Sequence, residues 1–207
     1  MPSSKEDPRV ARSRALILEA AREVFIDSGY QGATANRIAD RAGVARRTIW
    51  NLYSDKESLF RATILSAIES ADVFAASLSA DVRGTEASAA HVAQIGRRLA
   101  EATLLGPALP LRRLLVMESA RFPDLVVEYR SRAPEAVMAA LADLFESMMR
   151  AGALRAAEPQ VAAEHFAFLV MGGELDRAMF TGARPSARRV RSRAVAGAET
   201  FARAYAL

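Results

Sequence analysis

Apolar residues recur at spacings of three and four along most of the chain, and nowhere do they alternate singly over a strand's length, so the pattern predicts helices throughout. The first predicted helix, over 9–27, carries Ala15, Ile17, Leu18, Ala21, Val24 and Phe25 on one side, and Ser28 and Gly29 end it. Two short helices come next. Ile38, Ala39 and Ala42 line one of them, while Val44, Ile49, Leu52 and Tyr53 line the other. Gly43 stands between the two, where a glycine enters the left-handed conformation without a Cβ penalty, and small Ala39 lets the second helix come close. Thr34 has the side chain of an N-cap, and Asp55 is placed to cap a helix beginning near Lys56. That helix carries Leu59, Phe60, Thr63, Ile64 and Ala67 and runs toward Phe74, long enough to join the first three helices to the rest of the chain.

Farther on the chain turns rich in alanine and leucine and keeps its helical period, which makes the predicted fold class all-α. Breaks fall at Gly84, Gly106 to Pro110, Pro123, Pro134, Gly152, Pro159 and Gly182 to Pro185. They leave helices at about 88–105, 111–121, 124–131, 134–151, 159–180 and 186–205. Residues 1–65 thus read as a three-helix module and 66–207 as a larger helical bundle. In 134–151, Val137, Met138, Leu141, Leu144, Phe145, Met148 and Met149 form a broad apolar stripe. In 159–180, Val161, Phe166, Phe168, Leu169, Val170, Met171, Leu175, Met179 and Phe180 occupy more than one face. Such a helix is either central in one bundle or covered on its second side by a partner subunit.

Composition narrows the function. The chain has 207 residues, 51% of them hydrophobic, and no cysteine, which removes disulfides, thiolate metal sites and cysteine nucleophiles and fits a reducing cytoplasm. No apolar run reaches the roughly 20 residues that cross a bilayer, and no signal-peptide core is present, so no membrane partner is expected. Net charge is +4. Residues 1–65 hold 11 Lys and Arg against 8 Asp and Glu, whereas the rest hold 17 against 16, so the positive excess sits with the small module. That is where phosphates would be met.

With Ile49, Leu52 and Tyr53 turned inward, the second short helix leaves Arg46, Arg47, Thr48, Trp50 and Asn51 for solvent, a face of hydrogen-bond donors with one large aromatic. Two helices joined by a glycine turn, the second of them basic, form a device for entering a DNA major groove.

The string GYQGATANRIADRAGVARRTIWNLYSDKESLF, with its glycine turn, the Ile38-Ala39 pair, the Thr48 to Tyr53 segment and the Lys56-Glu57 helix start, resembles the DNA-binding domain of TetR/AcrR-type transcriptional regulators. MESARFPDL and the helix after it look like the C-terminal domain of an AefR-like subgroup. The chain departs from the family pattern at Arg47, often glycine, at Trp50, often tyrosine, and at Leu52, commonly histidine. The resemblance implies a homodimer that spaces two recognition helices about one DNA turn apart, held by a four-helix interface from the last two long helices, on a near-palindromic operator. It makes Arg46 and Arg47 the base readers, with Thr34, Thr48, Trp50, Asn51 and Lys56 fixing the phosphate backbone. Arg9, Arg12 and Arg14 form either an arm along the duplex or a solvated tail.

A family member of this kind also implies a small apolar or amphipathic ligand in the larger domain that shifts the dimer geometry, with the helix after Lys56 as transmitter. Candidate pocket residues are Phe74, Leu104, Leu114, Met117, Glu118, Arg121, Phe122, Phe145 and Phe168. Glu118 and Arg121 are also spaced to pair on one helix face. Regulation without an effector, constitutive or through a protein partner, is equally compatible with the residues. An enzyme is the weaker alternative. His91 and His165 lie far apart outside any metal-spacing motif, no glycine-rich phosphate loop occurs, and neither catalytic residues, a metal nor a cofactor is expected.

Overall fold

The computed structural model describes residues 7–81 and 89–207, and the predicted break at Gly84 lies outside them. Every regular element among the described residues is helical. The helices are α1 (Pro8–Gly32), α2 (Ala35–Ala42), α3 (Arg46–Leu52), α4 (Lys56–Asp81), α5 (Ala89–Leu104), α6 (Ala108–Met117), α7 (Pro123–Arg132), α8 (Pro134–Arg150), α9 (Pro159–Ala167), α10 (Gly173–Thr181) and α11 (Ala187–Ala204). Packing divides the described chain into two compact units: one runs to Ala67 and takes in Leu114–Val126, and the other comprises the described part of Ile68–Arg113 together with Val127–Leu207. A single cut after residue 65 therefore misses a segment of thirteen residues, Leu114–Val126, that packs with the first unit.

In the first unit, α1 turns out of helical geometry at Gly29, as its glycine predicts, and resumes for one short stretch to Gly32. Asp7 caps its start by accepting from the Arg9 N–H at 2.8 Å. Arg9, Arg12 and Arg14 lie within the first turns of α1. Thr34 caps α2, accepting from the Arg37 N–H at 3.4 Å. Gly43 ends α2 at φ 66°, ψ 33°, where any other residue would bear the steric cost of a Cβ, and the Val44 N–H returns to the Ala39 carbonyl at 3.1 Å. Arg41 bridges α2 to Glu23 and Asp27 of α1. Asp55 caps α4 by accepting from the Ser58 N–H at 2.7 Å, and that bond holds its carboxyl below the usual range.

The core of this unit is aromatic. Phe25, Tyr30 and Phe60 meet at centroid separations of 5.1 to 6.1 Å, and Phe122, from the returning segment, packs on Tyr30 at 5.1 Å and on Phe60 at 4.9 Å. Arg61 fastens the same segment from outside through a 2.5 Å hydrogen bond to Asp124, which lowers the Asp124 pKa.

The second unit is built on α5, α8, α9 and α11, with Phe166 set edge-on to Phe145 and Phe201 at its centre. The continuous helix expected over 159–180 is interrupted. Between α9 and α10, Phe168–Gly172 form a widened π turn. Two causes are visible. Gly172 and Gly173 are poor helix formers at its exit, and α11 approaches so closely at Gly197 that a Cβ there would overlap the Leu169 carbonyl. The helix expected over 111–121 ends at Met117 and continues as turns to Arg121.

Candidate functional site

Recognition chemistry begins with the way α3 is anchored. Ile49 is its one fully buried side chain, inserted toward α1 and α2, and the rotation this sets leaves Arg46, Arg47 and Asn51 exposed and Thr48 and Trp50 half-buried. Neither Arg46 nor Arg47 has a hydrogen-bond or ion-pair partner among the described residues, whereas Arg22, Arg41 and Arg61 of the same unit each hold a carboxylate. Thr34 is exposed at the start of α2. Lys56 behaves differently from the other six residues expected at this surface. Its Nζ donates to the Gln31 carbonyl at 3.0 Å and lies 4.8 Å from the centre of the Tyr30 ring. Burial, then the charge of Arg121, lowers its pKa. Its ammonium is therefore occupied within the unit, and the α4 start beside it is already capped by the Asp55 carboxylate.

The expected ligand pocket does not assemble from the residues named for it. Phe145 is wholly buried in the aromatic centre of the second unit, Leu104 is buried in the same core, and Phe74 lies part-buried under the Arg98 guanidinium at 5.8 Å. Leu114, Met117, Glu118, Arg121 and Phe122 belong to the segment that packs with the first unit. Glu118 and Arg121 pair there at 3.7 Å, Arg121 covers the Tyr30 ring at 5.1 Å, and Met117 is 69% exposed. Leu104 and Phe145 recur at helical spacing because they are core, and Glu118, Arg121 and Phe122 because they clamp the returning segment. Two of the named residues border cavities: Leu104 lines a small one of about 70 Å³, and Phe168 lines a larger one of about 440 Å³ in the second unit. Arg112, Met138, Glu164, Met171 and Leu175 line the larger one with Phe168. Sequence reasoning counted the two methionines and Leu175 as stripe residues and passed over Arg112, whose one signal was its place in the Arg112-Arg113 pair set between Leu111 and Leu114.

A glycine-turned pair of helices presenting unpaired arginines, in a chain whose second unit is helical and holds a cavity, defines a helix-turn-helix protein of the DNA-binding class. The comparisons with known proteins agree. Residues 17–63 match the family described as bacterial regulatory proteins, tetR family, and residues 90–207 match the AefR-like transcriptional repressor C-terminal domain. The chain belongs to the TetR family of transcriptional regulators, with an AefR-like C-terminal domain. Among curated relatives it is 46% identical over 50 residues to the HTH-type transcriptional repressor AcnR of Corynebacterium glutamicum, a match covering 24% of this chain and 27% of that protein. Such matches span about a quarter of the relatives' length. Over nearly the whole chain, 97%, it is similar to the crystal structure of a TetR-family transcriptional regulator from Mesorhizobium loti, with TM-score 0.86, 28% identity and all of that chain covered. The flavonoid-responsive regulator FrrA is similar at TM-score 0.64 and 25% identity, with 94% of this chain and 97% of that one covered.

No helix of the described residues is long and apolar enough to cross a membrane.

Proposed function

We propose that the protein is a dimeric cytoplasmic repressor that binds a near-palindromic operator through α3 and releases it when a small apolar or amphipathic ligand occupies the second unit. The observation that carries this reading is the α3 face, where Arg46 and Arg47 stand exposed without a protein partner on a helix fixed by Ile49. Arginine pairs bidentately with guanine O6 and N7, so these two read bases. Thr34, Thr48, Trp50 and Asn51 position the duplex, and Lys56 reaches a phosphate only by leaving Gln31. Dimerisation is supported by large apolar side chains left in solvent along the last helices: Val161 on α9, Phe168 and Leu169 on the π turn, Phe180 on α10 and Val195 on α11. The repressor AcnR, similar over the helix-turn-helix, supports the sign of regulation, and FrrA, described as flavonoid-responsive, supports a small-molecule effector.

Selection of bound sequences from random DNA tests this directly. The expected product is an inverted repeat with half-sites about one turn, some 10 base pairs, apart. Enrichment of a lone half-site, or of nothing, overturns it.

A further inference from the structure

The cavity of the second unit has an uneven charge balance that its apolar lining makes consequential. Four charged side chains border it: Arg112, Arg130, Glu135 and Glu164. Arg130 is neutralised by Glu135, which accepts from its Nη2 at 3.1 Å. Glu164 is exposed, so water solvates its carboxylate. Arg112 alone is half-buried and has no hydrogen bond or ion pair to any described protein group. Its charge reaches the half-buried Tyr129, where it partly offsets the rise that burial causes in the phenol's pKa. A guanidinium partly withdrawn from water beside apolar side chains is short of acceptors, and a carboxylate is the planar partner that fills its fork with two parallel bonds.

The remaining wall sets the other end of the ligand. Met138, Met171, Leu175 and Phe168 are apolar, and methionine side chains reshape around varied tails. A volume of about 440 Å³ falls among cavities that take small organic molecules.

We infer that this cavity binds an organic carboxylate with an apolar tail, Arg112 taking the carboxylate and Met138, Met171, Leu175 and Phe168 covering the tail. The inference rests on the reading of the second unit as the effector-binding part and names the chemistry of its effector.

Calorimetry on the full chain with octanoate, octan-1-ol and octylamine provides the test. Octanoate is expected to bind, the alcohol about tenfold or more weaker, and the amine weakest, because a hydrogen-bonded charge is worth about that much. Arg112→Gln is expected to lose octanoate by about tenfold or more and Arg112→Lys less. Octylamine or octanol binding as tightly as octanoate, octanoate binding unchanged in Arg112→Gln, or no octanoate binding at millimolar concentration each overturns the inference. Should Arg112→Gln melt without a native transition, Met138→Trp replaces it: filling the cavity must abolish octanoate binding, and retained binding sinks the assignment. Operator binding is measured on the same samples without ligand. Failure of octanoate with operator binding intact removes the cavity assignment alone, whereas failure of operator binding removes the DNA-binding reading.

Discussion

On α3 the side chains left outside are Arg46, Arg47 and Asn51; along the last helices they are Val161, Phe168, Leu169 and Phe180. Exposure means opposite things in the two places. A hydrated guanidinium costs nothing, so the arginines are informative only because carboxylates that pair their neighbours do not pair them. A hydrated phenylalanine, by contrast, forgoes about 1.5–3 kcal/mol of burial, and Phe180 at 86% and Phe168 at 70% exposure forgo most of it. On the proposed reading the first surface waits for an anion and the second for another apolar surface.

The sharpest way to break this comparison is at Gly197, because the π turn that presents Phe168 and Leu169 lies against it. Gly197→Val should cost about 3 kcal/mol or more in urea unfolding, as branched bulk forced onto the Leu169 carbonyl displaces α11. A variant as stable as the parent would show that the approach of α11 does not fix the turn. Next in size, Phe180→Glu with Leu169→Glu should weaken self-association by about 2 kcal/mol or more while leaving the monomer folded. Sedimentation velocity reads it, and an unchanged dimer would place the interface elsewhere. Arg46→Ala and Arg47→Ala should each lower specific operator affinity by about 1–3 kcal/mol and relax base preference at one position per half-site. A uniform loss across all sequences would instead make them phosphate contacts.

The smallest expected effect concerns pH. Asp124 has a folded pKa held below its unfolded value, first by its hydrogen bond from Arg61, so its contribution is present above the unfolded value near 4 and fades as pH falls through the folded one. Thermal melts between pH 7 and pH 3 should show a slightly steeper acid loss for the parent than for Asp124→Asn. Parallel curves would mean the ion pair contributes nothing.

The helix-turn-helix was legible because its determinants are local. A glycine at the turn, Thr34 and Asp55 at two caps, and a three-to-four spacing of apolar residues all act within a few residues of each other. The π turn was not, since a sequence of Phe168 to Gly173 still reads as helix until Gly197, more than twenty residues later, brings α11 against it. The pocket failed for a related reason. Periodicity says that Phe145 and Leu114 are inward, but whether inward means core, clamp or cavity depends on which other helix lies opposite. Arg112 escaped notice because an arginine in a helix ordinarily finds a carboxylate, and its lack of one is a tertiary fact.

The return of Phe122 to cover Tyr30 and Phe60 has a consequence for biosynthesis. The DNA-binding unit is discontinuous, so its aromatic core stays open until about sixty further residues beyond Phe60 have left the ribosome. Closing a loop of that span costs chain entropy that a contiguous three-helix module would not lose. Nascent chains shorter than about 122 residues should therefore hold the recognition helix without the lid that completes its support, and the unit becomes fully native only after much of the second unit has been synthesised.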